Sequence, residues 1–420
     1  MDKNLVKTLI AERQKEISEV DLIERSIKLE ESINYVFIGM RRAGKSYLLF
    51  QHIQTLIKSG KAKIEDILYV NFEDERIASI TAEELDQFLE CYREMHDNKP
   101  LIYLDEIQNI EGWEKFVRRL ADSKYRVFVT GSNAKMLSKD IYTTLGGRFI
   151  AKEVFPFTFS EYLTYHNIIP DKNWEHNHIR TTVVRYFSDY FYFGGFAESF
   201  SLKDKRDWLN SLYHKILLGD IVARNGIRND RAIRILVKKL AESVMQPTSL
   251  ARVKNIVDSS GDSISRNTLI SFLQQITDAF LIFEISNFTD SIRNRETYKK
   301  RYFFDNGLLN NFLFDSKTKL LENIVAIELK KRYGDKLYFY NRNIEVDFFI
   351  PDAGRAIQVS YSIADEFTKE REIKGLLKLS SIYRLDYPEI VTWDEEYSIA
   401  ENNISINVIP IWKWLLKQQS

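Results

Sequence analysis

Cysteine is nearly absent: Cys91 is the only one in 420 residues. A single thiol excludes an intramolecular disulfide framework and fits a reducing compartment. Proline and glycine are sparse as well, at 7 and 16 residues, which excludes collagen-like and Pro/Gly-rich disordered classes. Long apolar runs are missing. Runs such as Tyr35–Ile38, Leu101–Leu104 and Phe348–Ile350 are of strand length, far short of the roughly 20 residues a membrane helix needs. The first thirty residues carry charge throughout and hold no apolar core of the signal-peptide kind. No membrane partner is expected, and the expected location is the cytoplasm. Nor does either sign of charge prevail, since 60 Lys+Arg face 60 Asp+Glu. That balance argues against a uniformly basic nucleic-acid coat.

What the chain does have is aromatic residues, 27 Phe and 22 Tyr, enough to fill more than one core. Its length suggests two to three domains. Charge also divides by region. Residues 1–200 carry 27 basic and 31 acidic side chains, residues 201–301 carry 18 and 11, and residues 302–420 carry 15 and 18. The net values of −4, +7 and −3 cancel to the zero of the whole chain.

Residues 30–155 alternate short apolar runs with amphipathic stretches, the pattern of a parallel sheet covered by helices. Strands are predicted at Tyr35–Ile38, Leu68–Asn71, Leu101–Leu104, Val127–Thr130 and Phe149–Val154. The predicted helices are Lys45–Ser59, Ala82–Met95 (with a Thr81/Glu84 capping box), Trp113–Ala121 and Ala134–Leu137.

The strongest motif is Gly39-Met40-Arg41-Arg42-Ala43-Gly44-Lys45-Ser46, a full G-x-x-x-x-G-K-[ST]. Glycines let such a loop fold back so that successive backbone N–H groups face a phosphate, and the positive end of the next helix points the same way. Lys45 is expected to reach the β/γ oxygens and Ser46 to offer a hydroxyl to Mg²⁺. Nucleotide contact is expected along the whole loop, from Gly39 through Arg41, Arg42, Ala43 and Gly44 to Tyr47. Leu101–Leu104 leads into Asp105-Glu106, a strand ending in two acids. Asp105 is assigned to the metal and Glu106 to general-base duty. Arg126–Asn133 ends a further strand in polar residues. Thr130, Ser132 or Asn133 is expected to sense the γ-phosphate, with helix capping as the alternative for Ser132 and Asn133. Arg148, on the Gly146-Gly147 segment, is assigned to offsetting charge on the transferring phosphoryl group, within its own subunit or on a neighbour.

The segments GMRRAGKSYLL, YLDEIQ, VTGSN, LGGRF and Phe155–Leu163, continued at Gly194–Glu198, resemble a prokaryotic AAA-like P-loop ATPase family with a downstream domain of unknown function. The resemblance implies ATP with Mg²⁺. It also implies a five-stranded core in which the sensor strand separates the acid-bearing strand from the P-loop strand.

Between Arg224 and Arg301 the pattern predicts a winged helix. Helices at Ile233–Met245, at Pro247 through Ile256 and at Thr268–Phe280 are followed by strand Leu281–Ile285 and a wing holding Arg293, Arg295, Lys299, Lys300 and Arg301. Arg266 and Asn267 open the third helix, where a recognition helix carries its base contacts. Duplex DNA is therefore a candidate partner for residues 201–301, with a homo-oligomer or a protein partner left open.

The tail, with strands at Leu337–Tyr340, Val346–Ile350 and Ala356–Ser360, looks like a PD-(D/E)xK nuclease core. Asp347 fills the strand acid and Glu322 the helix acid. Gln358 and Ser360 stand where an acid and a lysine are needed, with Lys369 and Lys374 as possible substitutes, so the tail is expected to be inactive. The expected fold class is thus α/β: a P-loop NTPase over 1–160, a helical and winged-helix domain over 161–301, and a restriction-endonuclease-like domain over 302–420.

Overall fold

A computed structural model describes residues 2–137, 143–259, 263–291 and 297–417. It divides into two units, Met1–Phe155 with Asp278–Phe280, and Pro156–Thr277 with Leu281–Ser420.

In the first unit, helix α1 (Lys3–Glu19) precedes strand β1 (Asn34–Ile38) and helix α2 (Lys45–Lys58). Next come β2 (Ile67–Asn71), α3 (Asp86–Met95), β3 (Leu101–Asp105), α4 (Trp113–Asp122), β4 (Arg126–Gly131) and β5 (Phe149–Glu153). All strand pairs are parallel, in the order β2-β3-β4-β1-β5. The sensor strand β4 therefore lies between the acid-bearing β3 and the P-loop strand β1, as the resemblance implied.

Strands β1 to β4 form because their apolar runs are buried on both faces, which a parallel sheet under helices requires. Helix α4 buries Trp113, Phe116, Val117 and Leu120 on one stripe. The Thr81/Glu84 capping box is present, but it opens a 3₁₀ turn over Ala82–Glu84, and the α-helix starts only at Asp86. Ala134–Leu137 is likewise a 3₁₀ turn.

The second unit opens with helices α5 (Phe159–Tyr165), α6 (Ile179–Phe193) and α7 (Lys205–Lys215), the last running into a π-helical segment, Ile216–Ala223. Helix α8 (Asp230–Glu242), β6 (Thr248–Ser249), α9 (Leu250–Ser259), α10 (Arg266–Asp278), β7 (Ile282–Asn287) and β8 (Tyr298–Phe303) follow. The chain continues through α11 (Asn306–Asn310), α12 (Lys317–Tyr333), β9 (Tyr338–Asn341), β10 (Glu345–Ile350), β11 (Arg355–Val359) and α13 (Glu366–Ser380). It ends in β12 (Tyr387–Thr392), β13 (Tyr397–Glu401), β14 (Ile404–Pro410) and α14 (Ile411–Lys417).

These strands make one nine-stranded sheet, β13-β14-β12-β11-β10-β9-β7-β8-β6. The boundary expected between 301 and 302 falls inside β8, and the one expected after 160 lies slightly beyond the observed division at Pro156. The hairpin read as a wing is part of that sheet. Strand β7 pairs antiparallel with β8 and parallel with β9. The buried Asn287 lengthens the second seam, its amide donating to the Asn341 carbonyl (2.7 Å) and its carbonyl accepting from the Asn341 N–H (3.0 Å). Asn323 of α12 ties down β8 in the same manner, accepting from Phe303 N–H and donating to Phe303 O. Among the described residues no helix is long and apolar enough to cross a membrane.

Candidate nucleotide site

The carboxyl ends of β1, β3 and β4 share one edge of the first sheet, because Ile38 pairs with Gly131 and Leu104 with Val129. From β1 the chain turns at Gly39, which passes so close to Val154 that an added Cβ would collide with the Val154 carbonyl. Arg42 (φ 62°) and Gly44 (φ 88°) take the left-handed conformation, and α2 starts at Lys45 with Gly44 as its N-cap. No described side chain caps that first turn, so its N–H groups face the loop as an anion site.

Lys45 is buried. Its ammonium donates to the carbonyls of Gly39 (3.2 Å) and Met40 (3.1 Å) and pairs with Glu106 Oε1 at 3.1 Å. Asp105 lies at the end of β3, fully enclosed. Tyr69 donates to its Oδ2 at 2.6 Å, Thr130 donates to its Oδ1, and Ser46 also hydrogen-bonds to it. Burial, then the neighbouring Glu106, pushes the Asp105 carboxyl above its ordinary range. Glu106 sits at φ 52°, which turns its side chain off the strand line toward Lys45. Its N–H donates to Thr130 Oγ1 (2.8 Å), while its Oε2 accepts from Gln108 Nε2 (2.5 Å) and Ser132 N–H (3.2 Å). Burial raises the Glu106 pKa, but the Lys45 ammonium and the Gln108 amide outweigh it and hold the carboxyl below the usual range.

Lys45, Ser46, Asp105, Glu106 and Thr130 thus converge. Thr130 is not an open tip of the sheet: its hydroxyl donates to the Asp105 carboxylate and accepts from the Glu106 backbone N–H. Asn133 accepts from Lys135 N–H at 2.8 Å and so caps the following turn, the alternative noted for it above. Arg41 pairs with Glu73 at 2.7 Å, buried Ala43 forms the inner wall of the loop, and Arg42 and Tyr47 are exposed.

Arg148 is not brought to this edge. It precedes Phe149, the partner of Asn34 at the opposite end of β1. Its carbonyl accepts from Asn34 Nδ2 at 3.3 Å, and its guanidinium pairs with Asp122. A strand of this length spans about 15 Å, so the side chain lies across the sheet from its own P-loop.

Two contributors escaped the sequence reading. Buried Arg25 donates to Ala43 O (2.9 Å) in the loop and to Phe155 O (2.8 Å). Gln108 bridges Glu106 and Ser132 Oγ, the latter at 3.3 Å. Nothing near Arg25 in sequence marks it, and Gln108 is signalled only by its place two residues after the acid pair. The oxygen donors of Ser46 and Asp105 suit a hard cation such as Mg²⁺, which commonly uses one or two carboxylates beside phosphate and water.

The second unit holds another polar cluster. Lys300, fully buried, places its ammonium 3.0 Å from Asp347 Oδ1, 3.4 Å from Glu322 Oε1 and 3.5 Å from Glu345 Oε1. Burial pushes the Glu322 carboxyl upward. A pocket of about 480 Å³ lies alongside, lined by Glu345, Asp347, Gln358, Arg371 and Lys374 among others. Gln358 accepts from Asp347 N–H (2.8 Å) and donates to Glu345 O (3.2 Å), so its amide holds two strands together. The cation that pairs with these acids comes from β8, while Lys374 lines the pocket beside them. This corrects the wing as well. Lys300 is spent on these acids, Arg301 on Glu284 and Thr248, and Lys299 on Glu284. Arg293 and Arg295 lie outside the described residues.

Residues 32–163 match a family described as an AAA domain, and residues 184–319 a domain of unknown function (DUF8612). An uncharacterized protein of Methanocaldococcus jannaschii is 35% identical, the match covering 97% of this chain and 92% of that protein. One of Haemophilus influenzae is 28% identical, over 94% and 99%. Among solved structures, the Walker-type ATPase of Pyrococcus abyssi is similar at 15% identity and a TM-score of 0.39, covering 74% of this chain and 95% of that one.

Proposed function

The chain belongs to the family of the uncharacterized M. jannaschii protein, and because its residues 32–163 match an AAA domain, we propose that it is an Mg²⁺-dependent ATPase of the cytoplasm. In this reading it hydrolyses ATP to ADP and phosphate and uses the nucleotide state to reposition its downstream winged-helix and nuclease-like parts. The observation that carries the proposal is the meeting of Lys45, Asp105 and Glu106 at one sheet edge, beside the uncapped start of α2. Loop N–H groups and Lys45 bind the phosphates, and Ser46 and Asp105 hold the metal. When bound, Mg²⁺ neutralises charge on the β- and γ-oxygens. Glu106 takes a proton from the attacking water, and Thr130 keeps both acids aimed. Arg148 serves a neighbouring subunit in an oligomer, since its own P-loop is out of reach. Turnover of the purified protein, alone and with DNA or RNA, tests the reading; bound ATP with no hydrolysis under any condition overturns it.

A second reading, duplex DNA at residues 201–301, is favoured by Arg266 and Asn267, which stand exposed at the start of α10. The element order α8-β6-α9-α10-β7-β8, with β6 and β7 both paired to β8, supports the winged-helix interpretation. In the nuclease-like part, Lys300 pairs with the acids that would hold a metal and Gln358 is tied to two strands; both support an inactive tail.

A further inference from the structure

Gln108 occupies a position that the residues assigned so far do not explain. It lies in the 3₁₀ turn Ile107–Asn109 that follows β3, and Asn109 anchors that turn by donating to Phe72 O at 3.1 Å. The amide orientation is fixed by chemistry. An amide oxygen facing the Glu106 carboxylate at 2.5 Å would repel it, so the nitrogen must be the atom that faces it. Both donors of that nitrogen are then used, one on Glu106 Oε2 and one on Ser132 Oγ. The other arm of the amide, Oε1, is buried and has no hydrogen-bond partner among the described residues. It is directed toward Gly131, where an added Cβ would collide first with the Met136 sulfur and then with this oxygen. A buried acceptor of this kind calls for a donor, and it sits on the same amide that holds the candidate base.

We propose that Gln108 is a further catalytic residue, whose Oε1 accepts one O–H of the attacking water while Glu106 takes the other proton. The inference rests on the ATPase reading above and deepens it. With ATP bound, Lys45 turns to the phosphates and releases Glu106 Oε1, while Gln108 and Ser132 N–H keep Oε2 fixed. In this reading the water donates to both Glu106 Oε1 and Gln108 Oε1, with a lone pair left for the γ-phosphorus. As the new O–P bond forms, one water proton moves to Glu106. The bond from the γ-phosphorus to the bridging oxygen breaks, and its electron pair leaves on ADP. A glycine at 131 leaves room at this spot for the Met136 side chain and the amide together.

The test measures single-turnover hydrolysis and ATP affinity in Gln108→Leu and Gln108→Glu, with thermal melting as the check on folding. Gln108→Leu is expected to lower the hydrolysis rate by about 10²-fold or more, in the range seen when one group aimed at the reacting atoms is removed. ATP affinity and melting temperature should stay close to the parent. Gln108→Glu, which has the same shape but sets a second carboxylate against Glu106, should be at least as slow. Hydrolysis by Gln108→Leu at the parent rate overturns the inference and leaves the ATPase reading intact. So does a loss confined to affinity or melting, which marks a structural role. A parent protein that binds ATP yet never turns it over overturns the ATPase reading, and this inference with it.

Discussion

At the scale of single residues, the Lys45 ammonium has three oxygen partners and all of them belong to the protein. A polyphosphate offers more negative charge than these carbonyls and one carboxylate, so nucleotide competes directly for that lysine. Lys45→Ala should abolish ATP binding in a titration while leaving the fold intact. Glu106→Gln should keep ATP bound and reduce turnover by about 10²–10⁴-fold; turnover at the parent level would remove Glu106 from its role. His52 gives a pH dependence of definite sign. Burial beside Phe128, 4.6 Å between ring centroids, lowers its pKa from 6.5 to about 4. The unfolded chain therefore takes up the proton first as pH falls. Stability should be lost progressively from pH 6.5 to 4, by up to about 3 kcal/mol, and His52→Gln should flatten that part of the urea-unfolding profile. The motif residues Gly39 to Ser46, Asp105 and Glu106 were legible in the sequence because spacing alone defines them. Arg25 and Gln108 were not, since their partners Phe155 and Ser132 become neighbours only after the sheet has formed.

Among elements, β8 is the one whose reading changed most. Lys299, Lys300 and Arg301 look like a solvent-facing basic wing in one dimension, yet β8 buries its second half almost completely. The reason lies in neighbours the local pattern cannot contain. Glu284 comes from β7, Glu322 from α12, and Glu345 and Asp347 from β10. Strands β1 to β5, by contrast, were found to within about a residue, four of them because buried parallel strands are contiguous apolar runs between helical patterns. Lys300→Met would leave three acids without their shared cation. Breaking a buried pair in this way costs about 3–5 kcal/mol, to be read as a lower urea midpoint. Adding Glu322→Gln should restore part of that loss, since the two sites share one network.

For the whole molecule, the cancelling charges make a testable statement about DNA. The net +7 of residues 201–301 already subtracts the acids that pair with Lys299, Arg301, Arg234 and Lys239, and Lys300 is spent further on Glu322, Glu345 and Asp347 outside that stretch. Any duplex affinity should therefore be weak, with a shallow slope of log K against log salt, and Arg266→Ala should lower that slope by about one. A steep slope unchanged in Arg266→Ala would assign the contact to other residues. The sheet that joins β6–β8 to β9–β14 has a consequence for how the chain is made. During synthesis β7 and β8 emerge well before β9, and β14 comes last, so one edge of the early hairpin waits unpaired for strands not yet translated. Such delayed, non-local pairing is slow and leaves sticky edges open. Expression of residues 1–305 alone, which keeps β8 whole, should therefore give aggregated chains, and the full-length protein should fold only after its C-terminal strands have been delivered.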